Sequence, residues 1–403
     1  MRILIPAIGS RGDVQPYINL AQGLAAAGHL PVLATNPTLV KLVREHGVTA
    51  EPVGKPVDMG AAGADIYRRS GGNFYLSLIR TMQFGFGLVQ DAYPDIRRLA
   101  GQTDLMVVTD TGAGGPEAEL CGVPWVSVTL QPARVPAQNP NASAFMKAIF
   151  PLVTSIIMAP TNKFRKKVGA PPVKDMGAML STRLALVPVS PAVSPPNPAW
   201  GKHVHMTGYW FARPDPGFTP PEALLRFLEA GPRPVVISLG AMSLYGELTR
   251  KAAQITLAAL RKTGLRAVIQ GWDDALRGID LPETIYHAGS LPHDWLFAQA
   301  AAVVHHGGFG TTAAGLRSGV PALIIPHIID QLYWGDLVTK LGVAPRYIHR
   351  PKLTVDRLAA GLEQALNDQS MRQKAAALGE QIRVEPDGVE AAVRLLAEHS
   401  IEG

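Results

Sequence analysis

Short apolar runs alternate with amphipathic stretches along this chain, and the alternation occurs twice. In the first half "RILIPAI", "LPVLATN", "DLMVVTD" and "PWVSVTL" read as strands. Helical spacing falls between them at Pro16 to Ala27, closed by Gly28, and at "GPEAELCG". In the second half "PVVISLG", "RAVIQ", "IYHAG", "AVVHH" and "ALIIP" read as strands. Helices are expected near Glu247 to Lys262, from Gly310, from about Gln331, and throughout the tail from Thr354. Such a rhythm implies α/β architecture, a parallel sheet with helices on both faces in each half. Doubly wound sheets bind ligands beyond the carboxyl ends of their strands, so two of them facing each other are expected to enclose a cleft.

A chain of 403 residues suits two domains of about 200 residues each. The Pro-rich "PVSPAVSPPNPAW" and "ARPDPGFTPPEA" mark the break. The expected division is an N-terminal domain over 1–212, a linker over 213–222 and a C-terminal domain over 223–403, with the last helix able to return to the first domain. The rhythm weakens between Gly54 and Gln102 and again between Pro136 and Pro172, which read as irregular.

With Cys121 alone, no intramolecular disulfide and no Cys-based zinc site can form, which favours a reducing compartment. The start, "MRILIPAIGSRGD", reads as a first strand rather than a signal peptide, so a cytoplasmic protein is expected. The apolar "AFMKAIFPLVTSIIMAP" is interrupted by Lys147 and Pro151 and is too short to span a bilayer. A net charge of +6 with no nucleic-acid-binding signature makes an anionic substrate or membrane surface the better partner. The basic "NKFRKKVG" beside that apolar segment reads either as a membrane-surface contact or as a solvated helix end.

Three glycine turns fall at strand carboxyl ends. In "AIGSRGDVQP", Gly9 and Gly12 permit a tight turn, and Asp13 stands just before a helix as a good N-cap. In "VVISLGAMS", Gly240 lets backbone approach a ligand, with Ser238 and Ser243 as hydrogen-bond donors; an ordinary strand-helix turn would look the same. In "AVVHHGGFGTT", Gly307, Gly308 and Gly310 strip side chains from the turn ahead of Thr311 and Thr312. Exposed amides at a helix start make an anion site, and the spacing lacks the lysine of a triphosphate loop. A diphosphate held by amides and histidine fits, with Asp330 and Gln331 downstream able to bind several hydroxyls. Together these describe a nucleotide-sugar.

The stretch "AGSLPHDWLFAQAAAVVHHGGFGTTAAGLRSGVPALIIPHIIDQ" resembles the donor-binding signature of GT-B glycosyltransferases of the large UDP-glycosyltransferase family. With "GSRGDVQPYINLAQGL" it is most similar to the sterol glucosyltransferase-like branch and to bacterial natural-product transferases. The resemblance implies two Rossmann-like domains and assigns His305 to the diphosphate, with Gly307, Gly310 and Thr311 beside it. It gives Asp330 and Gln331 to the sugar hydroxyls, the backbone of Leu291 to His293 to the base, and Ser10 to the phosphates. Asp13 matches the carboxylate acting as general base. One departure is Gly240-Ala241 where the family has Gly-Ser, unless Ser243 supplies the lost hydroxyl.

The implied reaction is inverting, metal-independent transfer of a hexose, glucose from UDP-glucose, to a hydroxyl of a lipophilic acceptor such as a sterol, terpenoid, polyketide or glycolipid. The nucleotide-sugar is a co-substrate, and no cofactor or metal is expected. "HVHM" offers His203 and His205 without a third ligand, and "WDDAL" reads as a helix start. Trp272 reads equally as a partner of the base or as cleft wall. The aromatics Phe74, Phe84, Phe86 and Phe145 are the expected acceptor pocket. The rival readings are a dTDP-sugar-dependent transferase and a catalytically silent auxiliary subunit. An epimerase would need acid-base groups that the sequence does not offer.

Overall fold

The computed structural model describes residues 1–71, 73–136, 144–240 and 247–400, with backbone alone at 74, 144–153, 247–248, 329 and 400. The first half runs β1 (Arg2–Pro6), α1 (Arg11–Ala26), β2 (Leu30–Thr35), α2 (Val40–Glu45) and β3 (Thr49–Pro52). It continues through α3 (Met59–Arg69), α4 (Phe74–Ala100), β4 (Leu105–Val108), α5 (Gly115–Cys121), β5 (Trp125–Val128) and α6 (Ala144–Val168). The strands β6 (Ala185–Val187) and β7 (Val204–Met206) follow. The second half runs α7 (Glu222–Glu229), β8 (Val235–Ser238), α8 (Glu247–Thr263), β9 (Ala267–Gln270), α9 (Asp273–Leu276) and β10 (Ile285–Ala288). Next come α10 (His293–Ala298), β11 (Ala302–His305), α11 (Phe309–Ser318), β12 (Ala322–Ile324) and α12 (Ile329–Lys340). Three helices finish the chain, α13 (Val355–Asn367), α14 (Gln369–Val384) and α15 (Gly388–Ser400).

Two compact units emerge. One comprises Met1–Val57, Gln83–Ala212 and Glu385–Gly403; the other comprises Asp58–Met82 and Arg213–Val384. The first holds a seven-stranded sheet in the order β3-β2-β1-β4-β5-β6-β7, with every pairing parallel. Its central strands are apolar on both faces, as β1 (Ile3, Leu4, Ile5) and β4 (Leu105 to Val108) illustrate, because helices cover both sides. The second holds a five-stranded parallel sheet, β10-β9-β8-β11-β12, built from equally buried runs such as Val235 to Ile237 and Ala302 to Val304.

In both sheets the chain leaves one strand to one side and later returns to the other side. The reversal lies between β1 and β4 in the first sheet and between β8 and β11 in the second. Helices on opposite faces diverge there, leaving a crevice at the strands' carboxyl ends. Each unit therefore presents loops there: 9–13, which the sequence had marked, and 109–114, which it had not, in one, and the marked turns 239–240 and 306–311 in the other.

The passages that read as irregular are mostly helical. Residues 54–102 contain α3 and the 27-residue α4, and 136–172 contain α6. Scattered Gly and aromatic residues obscure a helical stripe that packing supplies, since Ala92, Ile96 and Leu99 of α4 are buried together against β1 and β4. Among the described residues no helix is long and apolar enough to cross a membrane.

Candidate active site

The first crevice is built on Asp13. Helix α1 begins at Arg11, earlier than the apolar spacing suggested, so Asp13 is not its N-cap; Ser10 is, and Asp13 sits three residues in. The carboxylate reaches back, its Oδ2 accepting from the Ser10 amide at 2.7 Å and from the Ser10 hydroxyl at 2.8 Å. This is the back-bonding half of a capping box, and it fixes the carboxylate's direction. Gly9 makes the arrangement fit. Its φ is +145°, and a Cβ there would lie 2.4 Å from Asp13 Oδ2.

The surrounding protein raises the Asp13 pKa, chiefly by desolvation, helped by the charge of Asp110 and opposed by the Ser10 bonds and Arg134. The residue's own surface is exposed, so the raising influence is a low-dielectric neighbourhood rather than enclosure.

Asp110, which sequence reasoning missed, lies two residues past β4. Its carboxylate accepts from Thr129 Oγ1 at 2.9 Å, from the Leu130 amide at 3.1 Å and from Arg134 Nη1 at 2.6 Å. Its own amide donates to the hydroxyl of Tyr17 at 3.2 Å. Burial and Asp110 push the Tyr17 pKa well above 10, so the phenol stays neutral. The signal was present, an Asp closing "DLMVVTD", but only the β4–β5 adjacency reveals its partners.

The second crevice is lined from β8, β9 and β11. Ser238 Oγ donates to Gln270 Oε1 at 2.9 Å and lies 3.2 Å from His293 Nε2. Gln270 Nε2 donates to the Leu291 carbonyl at 2.8 Å, and the His293 ring stacks on Phe297 at 4.6 Å. Leu291 and His293 are thus held by side chains at the ends of two neighbouring strands. Trp272 adopts a left-handed φ of 66° and is buried in the core of this unit.

The two histidines of the glycine turn differ. His305 is fully buried, and its Nδ1 accepts from the Gly307 amide at 3.0 Å. It shapes the turn from inside the sheet. The ring bordering the turn is that of His306, against which a Cβ on Gly240 would lie 2.6 Å away and one on Gly308 2.4 Å away. His305 ends β11 and His306 opens the loop, and the two rings have different neighbours. Burial, with His293 nearby, lowers the His306 pKa to about 4, leaving it neutral at pH 7. Beyond the turn, Thr311 and Thr312 are buried in the first turn of α11 while Gly310 is exposed.

Gln331 is buried, and its Oε1 accepts from the amides of His327 at 2.7 Å and Ile328 at 3.3 Å, capping α12. Asp330 beside it is half-buried. Ser243 and Ala241 lie outside the described residues, as do the side chains of Phe74 and Phe145. Phe84 and Phe86 are both half-buried, but two positions on a helix are roughly 200° apart, so they face different ways. Phe86 packs edge-on against Phe164 at 6.1 Å. His205 packs against His399 at 5.7 Å, and among the described residues no group of three His, Cys, Asp or Glu could hold a metal.

Comparison with known proteins gives a consistent picture. Residues 3–83 match the glycosyltransferase family 28 N-terminal domain, and residues 267–397 match the erythromycin biosynthesis protein CIII-like C-terminal domain. The sterol 3-beta-glucosyltransferase of Emericella nidulans is 32% identical over 98% of this chain. The chain spans only 30% of that relative's length. Among solved structures, the kitacinnamycin glycotransferase aligns with a TM-score of 0.74 at 20% identity, covering 99% of this chain and 98% of its own. Glycosyltransferase VinC, solved in complex with dTDP, aligns at 0.71 and 23% identity over the whole of both chains. Two parallel-sheet units in this order give the chain the GT-B fold of these solved glycosyltransferases, and its sequence is similar at the start to the glycosyltransferase family 28 N-terminal domain and over nearly its whole length to part of the sterol 3-beta-glucosyltransferases.

Proposed function

We propose that this protein is an inverting glycosyltransferase that moves a hexose, glucose from UDP-glucose, to a hydroxyl of a lipophilic acceptor. The observation that carries the reading is the Asp13 carboxylate: fixed through Oδ2 on Ser10, raised in pKa, and with no partner on Oδ1 among the described residues. Oδ1 would take the proton of the acceptor hydroxyl as that oxygen attacks the anomeric carbon. The bond from carbon to acceptor oxygen forms as the bond to the diphosphate oxygen breaks, in line, and the configuration inverts.

The charge left on the diphosphate falls to the amides of Gly307 to Thr311, the start of α11 and the neutral ring of His306. We give His306 the diphosphate contact that the family resemblance placed on His305, because His306 is the ring at the turn. With these donors the leaving group needs no cation. Asp330 and the amino group of Gln331 would bind sugar hydroxyls, and Leu291 and His293 would border the base.

The test is release of nucleoside diphosphate from UDP-glucose and dTDP-glucose across a panel of lipophilic alcohols, with and without a chelator. Transfer that survives chelation, gives the inverted anomer by NMR and disappears in Asp13→Ala supports the reading. A wild type that binds donor and transfers to nothing would favour the silent auxiliary subunit.

A further inference from the structure

The first unit contains a narrow hollow of about 70 Å³ between α4, α5 and α6, beside β4 and β5. Phe86, Trp125, Phe164 and Met179 supply its apolar wall, and Thr111 lies in the loop that also carries Asp110. Two carboxylic acids, Glu117 and Glu119, line it together with Arg165. Glu117, on the first turn of α5, is 1% exposed. Its Oε2 accepts from the Gly114 amide at 3.1 Å.

Among the described residues no ion pair reaches Glu117, and Arg165, which also lines the hollow, opposes the rise of its pKa only through space. The cation near it, Arg165 of α6, is committed elsewhere: Nη2 is ion-paired with Glu119, and Nε donates to the Pro171 carbonyl. Two carboxyls against one guanidinium leave one negative charge over. A buried carboxylate without a counter-ion is costly, and here burial holds the Glu117 pKa up at about 7. Aromatic faces beside an unmatched carboxylate are the surroundings that an ammonium prefers, through ion pairing and the ring quadrupoles.

We propose that this hollow is a subsite for a basic nitrogen carried on an apolar skeleton, with Glu117 as its counter-ion and the rings of Phe86, Trp125 and Phe164 around it. The proposal rests on the glycosyl-transfer reading only in treating the nitrogen-bearing molecule as the acceptor. Acceptors of this enzyme are then amphipathic amines, glycosylated at a hydroxyl and anchored by the amine. Capping of α5 alone would explain the Gly114 contact but not the apolar hollow in front of the carboxyl.

A ligand-observed NMR titration with cyclohexylmethylamine and cyclohexylmethanol tests it on the full chain. Wild type should bind the amine at least tenfold more tightly. Glu117→Gln, whose amide oxygen can still accept from Gly114, should erase that preference while the chain stays folded, with a melting temperature no lower than wild type's at neutral pH. Phe86→Ala should weaken both ligands. Equal binding of amine and alcohol, no binding of the amine, or a preference that persists in Glu117→Gln overturns the proposal. The titration needs no turnover, so failure of the transfer reading and failure of the subsite are separate results.

Discussion

Asp13 Oδ2 accepts from both the amide and the hydroxyl of Ser10, at 2.7 and 2.8 Å. One oxygen is thus spent on orientation, and the other is left for chemistry. Removing the base should cost more than removing its support. Asp13→Asn is expected to lower kcat by about 10²- to 10⁴-fold, with donor affinity by calorimetry nearly unchanged. Ser10→Ala keeps the amide bond, and a drop of about tenfold is expected.

The pH dependence follows from the same carboxylate. Desolvation raises its pKa above the ordinary 3.8, so the base is lost as pH falls through that raised value. Activity should therefore show an acid limb displaced upward from the ordinary carboxylate range. Asp110 adds to the raise and occupies Arg134, which acts the other way. Asp110→Asn should move the limb to lower pH, read as kcat/KM against pH; a shift upward would mean that another group titrates.

Two glycines should separate chemistry from donor binding. Gly9→Ala drives a methyl into the Asp13 carboxylate, and Gly240→Ala, at φ +76°, drives one into the His306 ring. The first should depress kcat with donor affinity intact. The second should weaken UDP binding by about tenfold or more, while strain at either site costs about 1–3 kcal/mol in denaturant unfolding.

Gln331→Ala removes the acceptor that two amides of the 327–328 turn use. A stability loss of about 1–2 kcal/mol is expected from urea unfolding, separate from any loss in sugar binding. Gln331→Glu should restore stability but not donor affinity.

Glu117 makes an opposite prediction for stability. Its folded pKa of about 7 lies above the ordinary 4.5, so the folded chain holds this proton more tightly than the unfolded one. Its contribution is intact below about pH 4.5 and declines as pH rises through 7, by up to about 3 kcal/mol. Glu117→Gln should match wild type near about pH 5 and exceed it in melting temperature near about pH 8.5.

The strands and the glycine turns were legible because they are local: continuous apolar runs end in Gly, Ser or Asp at fixed offsets. Helix α4 was not, because Gly85, Gly87 and a run of aromatics mask its stripe until β1 and β4 define the buried side. The different surroundings of His305 and His306 were not, because one ends β11 and the other opens the loop, and the sequence does not say which ring is covered. Asp110 and Arg134 are 24 residues apart and meet only because β4 and β5 pair.

The first unit is closed by a late arrival. Helix α15 packs on α1, with Val389 and Val393 against Gly23, Glu385 accepts from Ser190, and Arg183 donates to the His399 carbonyl at 3.1 Å. During synthesis, the sheet that carries Asp13 must therefore wait, one core face uncovered, while the whole second unit is made. A nascent chain stopped after α14 should present that face to chaperones, and adding residues 385–403 back as a separate peptide should release it. For this protein the order of translation is part of how Asp13 is put in place.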